Sequence, residues 1–232
     1  MNISLRLPLV FDSAKLYADL LRCESMPWIP HFKTDEYAGE WSSIALRSAS
    51  GEATDILSHP GIHTYADTAL LGVCPYFSEV MHRFQCEKES VRLLRLAPNA
   101  HIKEHVDVYT GYQYQIFRIH IPIQTSPDVR FIVGGQTLDM QAGECWYADF
   151  SQPHSVANLG TEVRVNLIID CKRNVWSDHL FSQAGYDFDA ERRSKKMDAA
   201  TRAKVIAQLS EMNTETARQL IHQLHAEAEL DV

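Results

Sequence analysis

Between Ser90 and Asp170 the chain breaks into a succession of short strand-like runs, and this constrains its fold more than any other feature. The runs are SVRLLRLA, QIFRIHIPIQ, VRFIV, TLDM, ECWYA and EVRVNLIID, rich in β-branched and aromatic residues and often alternating apolar with polar positions. Turn chemistry punctuates them. Gly134-Gly135 reads as a two-residue hairpin between VRFIV and QTLDM, and Pro98-Asn99 and Ala142-Gly143 supply further breaks. Short strands at this spacing predict a barrel or a double-sheet jelly roll.

The segment before these runs carries a strand and two helices. Ile3, Leu5, Leu7 and Val10 lie near one side of an opening strand, and Asp12 is placed to cap a helix bearing Leu16, Leu20 and Leu21. Residues 24–41 form an aromatic-rich loop, residues 42–48 a strand, and Tyr76, Val80 and Phe84 recur at helical spacing within 75–86. Beyond Arg173 the composition turns polar. Val205, Leu209, Ala217, Leu220 and Leu224 suit one or two amphipathic helices over 198–228, which either pad the barrel or meet a second copy of the chain. With 232 residues, 45% of them hydrophobic, one substantial core can be buried. The expectation is a mainly β fold with flanking helices: a domain over residues 1–175 and a C-terminal helical extension over 176–232.

Charge and cysteine usage exclude several function classes. A formal net charge of −8 leaves no broad basic face to neutralise phosphates, which argues against a nucleic-acid partner. The five cysteines, Cys23, Cys74, Cys86, Cys145 and Cys171, are widely spaced and lack a CxxC pair, against both a disulfide framework and a structural zinc knot. No apolar run reaches the length of a membrane span, and MNISLRLPLVFD has neither the apolar core nor the cleavage signal of a secretory leader. A cytoplasmic protein is expected, monomeric or homodimeric, with no membrane partner.

In PNAHIKEHVDVYTGYQYQ, His105 and Asp107 are one residue apart, so an extended backbone points both to one face. His154 follows Pro153 in ADFSQPHSVANLG, where a barrel brings the chain back and Pro153 fixes the approach. Two imidazoles and one carboxylate can occupy one face of an octahedral ferrous ion, leaving the other for a cosubstrate and dioxygen. Along EVRVNLIID, Val163, Val165, Leu167 and Ile169 share one face, and Arg164, Asn166 and Ile168 the other. An Arg buried there needs an anion, and its planar fork suits a carboxylate; the alternative is an exposed Arg on an outer face. Arg118 and His120 share a face of QIFRIHIPIQ, either lining the interior beside the metal or meeting water on an edge strand. In VRLLRLAPNA the odd spacing of Arg92 and Arg95 lets only one face inward; Arg92 is the interior residue unless a bulge reverses the order. The direction of His101 stays open.

Together, His105-x-Asp107, Arg118-x-His120, Pro153-His154 and Arg164, in order within strand-like contexts over residues 90–172, resemble the aspartyl/asparaginyl β-hydroxylase family of Fe(II)- and 2-oxoglutarate-dependent dioxygenases. Within that family the chain is most similar to the bacterial cis-4-hydroxylases of free proline, through RLLRLAPNAHIKEHVDVY and YAGEWSSIALRSASG, with a shorter region after the barrel. The resemblance implies a double-stranded β-helix, the cupin-like jelly roll. It implies Fe(II) on His105, Asp107 and His154, with 2-oxoglutarate and O2 as cosubstrates. By the same resemblance Arg164 pairs the distal carboxylate of 2-oxoglutarate, His120 helps seat it, and Arg118 with Arg92 pairs a substrate carboxylate. Trp41 is implied as an apolar wall over the pocket, plain core filling being its alternative. The expected reaction hydroxylates a free amino acid, proline-like or other, or a small derivative, and yields succinate and CO2.

Two other functions compete. The same chemistry on an Asp or Asn residue within a peptide or protein would use the loop of Trp28, Phe32, Tyr37 and Trp41 as a cover. A non-catalytic or zinc-binding cupin would use His154-x-x-x-Asn158 as its second motif, but leaves the paired strand arginines unexplained.

Overall fold

The computed structural model describes residues 2–58, 64–196 and 198–229. The chain divides into two compact units, Met1–Asp187 and Phe188–Val232. In the first, β1 (Ser4–Val10) leads into α1 (Ser13–Cys23), which Asp12 caps by accepting from the Ala14 and Lys15 amides at 3.0 and 3.1 Å. Leu16 and Leu20 are buried, but Leu21 is 53% exposed and Cys23 takes the third buried position. At about 100° per residue, position 21 has left the apolar stripe that 16, 20 and 23 share.

The aromatic loop holds two short strands, β2 (Ile29–Pro30) and β3 (Tyr37–Ala38), and is followed by β4 (Trp41–Ser48), β5 (Ala66–Asp67) and α2 (Pro75–His82). On α2, Phe77 and not Tyr76 enters the core with Val80; the Tyr76 hydroxyl instead accepts from the Asp12 amide at 2.8 Å. The remaining strands are β6 (Lys88–Leu96), β7 (His101–His105), β8 (Ile116–Gln124), β9 (Val129–Val133), β10 (Gln136–Leu138), β11 (Glu144–Ala148), β12 (His154–Asn158) and β13 (Arg164–Lys172). Helix α3 (Val175–Gln183) belongs to this unit as well, beyond residue 175.

The strands form two antiparallel sheets, one in the order β1-β11-β8-β13-β6-β4-β2 with β5 beside β4, the other β10-β9-β12-β7-β3. This is the double-sheet jelly roll that the strand pattern predicts. Trp41 and Leu96 of the larger sheet meet Ile102, Phe131, Val133 and Val156 of the smaller between the layers. The outer face of the larger sheet is covered by helices: Phe181 of α3 stacks on Tyr112 at 3.7 Å and meets the Phe117 ring of β8 edge-on at 5.1 Å. β13 is therefore buried on both faces, from Arg164 to Cys171, rather than on one. β1 is an edge strand, where Pro8 removes no needed ladder bond. Its register slips between Leu7 and Val10, which leaves Val10 71% exposed although Leu5 and Leu7 are buried.

Two glycine positions fix turns. Gly134 and Gly135, at φ +54° and +76°, join β9 to β10 with Val133 paired to Gln136, the two positive values a primed hairpin turn requires. At Gly143, φ is +82° and an added Cβ would lie 2.3 Å from the Phe11 carbonyl oxygen. Gly143→Ala is expected to lower stability by about 3 kcal/mol, from left-handed strain plus the displaced β1 terminus. Urea denaturation measures it, and an unchanged midpoint would contradict the clash.

The second unit consists of α4 (Phe188–Lys195), α5 (Ala199–Met212) and α6 (Glu215–Glu229). The amphipathic pattern over 198–228 resolves into two helices, separated where Asn213 turns left-handed at φ +49°. All five cysteines are buried free thiols. Among the described residues no helix is long and apolar enough to cross a membrane.

Candidate active site

β7 and β12 pair so that His105 lies directly opposite His154, with the ring centroids 4.2 Å apart. The His105 Nδ1 is 2.9 Å from the Lys103 carbonyl oxygen, and the His154 Nδ1 is 3.0 Å from that of Gln152. A carbonyl only accepts, so each Nδ1 carries the proton and each Nε2 presents a lone pair. Asp107 lies past the end of β7, its amide donating to the Phe150 carbonyl at 3.0 Å. The pair thus converges through a tied loop, not through alternate positions of one strand. The Asp107 Oδ2 accepts from Arg118 Nη1 at 2.9 Å, and its Oδ1 stands 3.9 Å from His105 Nε2.

One ligand atom from each of His105, Asp107 and His154 lies within 4.8 Å of the others. Burial pushes the Asp107 carboxyl up, but Arg118, His154 and His105 outweigh it and hold the group below the usual carboxylate range. Burial also lowers the His154 imidazole, aided by His105, so it is neutral at pH 7. An anionic Asp107 beside a neutral His154 is a protonation state that suits metal binding. The donor set fits a divalent metal ion.

The inner face of the larger sheet carries Arg92, Arg118, His120 and Arg164, as strand alternation predicts, and with the triad and Trp41 they line one pocket of about 280 Å³. Arg95 faces outward, paired with Glu40 and 4.6 Å from the Trp28 ring, and His101 faces solvent. Arg164 is 5% exposed, and among the described residues no carboxylate pairs with it. Its guanidinium sits 5.3 Å from the Phe131 ring. With its amide oxygen turned toward both, Asn166 accepts from Arg164 Nη2 at 2.7 Å and from His120 Nδ1 at 3.3 Å. The buried His120 Nε2 has no hydrogen-bond partner among the described residues. Burial lowers Arg164 to about 10, leaving it cationic, and burial with Arg164 and Arg118 keeps His120 neutral.

Three residues escape the sequence reading: His31 and Glu36, which line this pocket, and Asp170, which holds two of its arginines. Asp170 is the next inward position after Ile168 on β13, so the alternation contained the signal. Its carboxylate accepts from Arg118 Nε at 2.7 Å, Arg118 Nη2 at 3.2 Å and Arg92 Nη2 at 2.9 Å. Burial opposes its ionisation, but Arg118 and Arg92 outweigh burial and keep it anionic. His31 stacks on Trp41 at 3.5 Å between centroids and 15° between planes, and burial with the nearby Arg92 lowers it to about 4. Glu36 enters the pocket from the turn Thr34–Glu36. Trp41 serves as core filling and pocket wall at once.

Asn158, the other residue of the cupin-like spacing, does not line this pocket. Its side chain donates to the carbonyls of Leu96 and Glu162 at 3.1 and 2.8 Å and accepts from the Gly160 amide at 3.2 Å, bracing a turn.

The aspartyl/asparaginyl β-hydroxylase family model matches residues 14–174. L-proline cis-3-hydroxylase 1 of a Streptomyces species is 27% identical over 164 residues, covering 68% of this chain and 56% of that protein. The chain thus spans little more than half the length of this curated relative. A 2OG-Fe(II) oxygenase family oxidoreductase from Burkholderia pseudomallei superposes with a TM-score of 0.50 at 14% identity, over 74% of this chain and 86% of that one, a likeness of fold. The family match runs from α1 to the residue that caps α3 and takes in every residue of the pocket described above. The chain belongs to the aspartyl/asparaginyl β-hydroxylase family.

Proposed function

We propose that the protein is an Fe(II)- and 2-oxoglutarate-dependent hydroxylase of a free amino acid or a small derivative. One observation carries this reading: a two-imidazole, one-carboxylate ligand set shares its pocket with a buried Arg164 that has no carboxylate of its own among the described residues. The small amino-acid substrate is supported by the proline hydroxylase among its relatives.

His105 Nε2, Asp107 Oδ1 and His154 Nε2 would hold the iron. Iron and 2-oxoglutarate, when bound, supply the oxidising chemistry, in which dioxygen gives one oxygen atom to a substrate C–H bond as hydroxyl and the other to succinate, with release of CO2. The Arg164 fork pairs with the distal carboxylate of 2-oxoglutarate, and Asn166 fixes the orientation of that fork. His120, neutral and with its Nδ1 proton given to the Asn166 oxygen, lies beside the same cosubstrate and helps shape its seat without adding charge.

Arg118 and Arg92 take the substrate carboxylate. Asp170 holds both guanidinium groups in place while leaving donors unspent on each. Because Arg118 also occupies Asp107 Oδ2, the other carboxylate oxygen is left for the metal. Phe131, Phe150 and Trp41 keep water from the reacting centre.

Arg164→Met tests the cosubstrate assignment. It removes an ionic contact but no metal ligand, so the 2-oxoglutarate concentration for half-maximal succinate release should rise roughly 10- to 100-fold. An unchanged requirement would contradict the assignment.

A further inference from the structure

We infer that Glu36 receives the α-ammonium group of the substrate, so that a free amino group is required and acylated or peptide-embedded residues are refused. This rests on the amino-acid hydroxylase reading and names the group that selects among its substrates. Glu36 lines the same pocket as the triad and the Arg92–Arg118 pair. Its Oε1 accepts from Lys33 Nζ at 3.0 Å, while its Oε2 is closed off from solvent and has no hydrogen-bond partner among the described residues. The Glu36 side chain is 31% exposed overall, but a carboxylate oxygen covered without a donor is costly, and a ligand N–H that displaces the atoms covering it relieves that cost.

Lys33 also lines this end of the pocket and occupies Glu36 Oε1, so the aromatic faces beside Glu36 supply the further attraction for an ammonium group. Trp41 presents an aromatic wall backed by the stacked His31 ring, with Phe32 stacked on His31 at 4.7 Å. Aromatic faces attract an ammonium group electrostatically, and the neutral His31 adds no competing charge. Guanidinium groups for the carboxylate and a carboxylate for the ammonium make the pocket complementary to a zwitterion. The dianionic cosubstrate is repelled by Glu36 and directed instead to Arg164.

The test compares free L-amino acids, L-proline among them, with their N-acetyl counterparts. Binding is followed by anaerobic calorimetric titration of the holoenzyme with Fe(II) and 2-oxoglutarate, and hydroxylation by KM and kcat. Wild type should favour the free form at least about tenfold. Glu36→Gln, which keeps shape but not charge, should weaken binding of the free form roughly 10- to 100-fold and raise KM more than it lowers kcat, without weakening the N-acetyl form. Glu36→Asp should recover part of the loss.

An unaltered affinity in Glu36→Gln, or an equal loss for free and acetylated forms, would overturn the assignment. So would a wild type that binds no free amino acid. In that case 2-oxoglutarate turnover without substrate shows whether the oxygenase reading still stands.

Discussion

His154→Ala is expected to eliminate the proposed iron-dependent succinate formation while leaving a folded jelly roll. The substitution removes one of the three proposed ligand atoms and would leave His105 and Asp107 to hold the metal alone. Altering an outer-shell partner of a metal ligand already costs 10- to 100-fold in affinity or activity, so losing a ligand should cost at least about 100-fold. The fold should survive because β12 is held on both sides by backbone pairing, to β7 and to β9, which the side chain does not supply. The void beside Phe150, whose ring is 4.8 Å from the imidazole, should lower stability by only about 1 kcal/mol. Metal content after dialysis, succinate release and thermal melting separate these effects. Full activity in a folded variant would remove His154 from the metal site, and His105→Ala is expected to behave alike.

Asp170→Ala is the substitution expected to cost most in stability. It leaves the buried Arg92 without a carboxylate and the largely buried Arg118 with only Asp107, two cations that the Asp170 carboxylate had joined. Removing one partner of a buried pair costs about 3–5 kcal/mol, because the remaining charge stays uncompensated. The damage reaches the metal site, since Arg118 is also the hydrogen-bond partner of Asp107 Oδ2. Adding Arg92→Met to Asp170→Ala should return part of the stability, as the two positions share one network and do not act additively. Denaturant unfolding measures both variants. A loss below about 1 kcal/mol for Asp170→Ala would mean that the two guanidinium groups do not depend on it.

Most of the inner face of the larger sheet is legible in the sequence because strand periodicity is two and β6, β8 and β13 are long. Arg92, Arg118, His120 and Arg164 follow from counting alternate positions, and the same count carried one step further gives Asp170. β7 and β12 are less visible. They are short and largely polar, so the histidines they carry stand out by residue type and spacing, and their direct cross-strand pairing is a property of the sheet.

Asp107 joins the site through its amide bond to the Phe150 carbonyl, a tertiary contact that no local pattern encodes. The same is true of the His31–Trp41 stack and of Glu36, which lie in a loop whose aromatic content predicts a cover but not its geometry. Leu21 and Tyr76 show the complementary limit on the helices. Apolar or aromatic type alone suggests the core, but helical phase turns one outward and gives the other a hydrogen bond to Asp12.

Under the proposed function one pocket joins iron, 2-oxoglutarate and an amino-acid C–H bond. Incubating the Fe(II)-loaded protein with 2-oxoglutarate, a panel of free amino acids and oxygen-18 gas, followed by mass spectrometry, tests it most directly. The expected products are a hydroxylated amino acid with its new oxygen from the labelled gas and succinate carrying the second labelled atom, formed in equal amounts. Tight metal binding with no succinate above an iron-free control across the whole panel would contradict it.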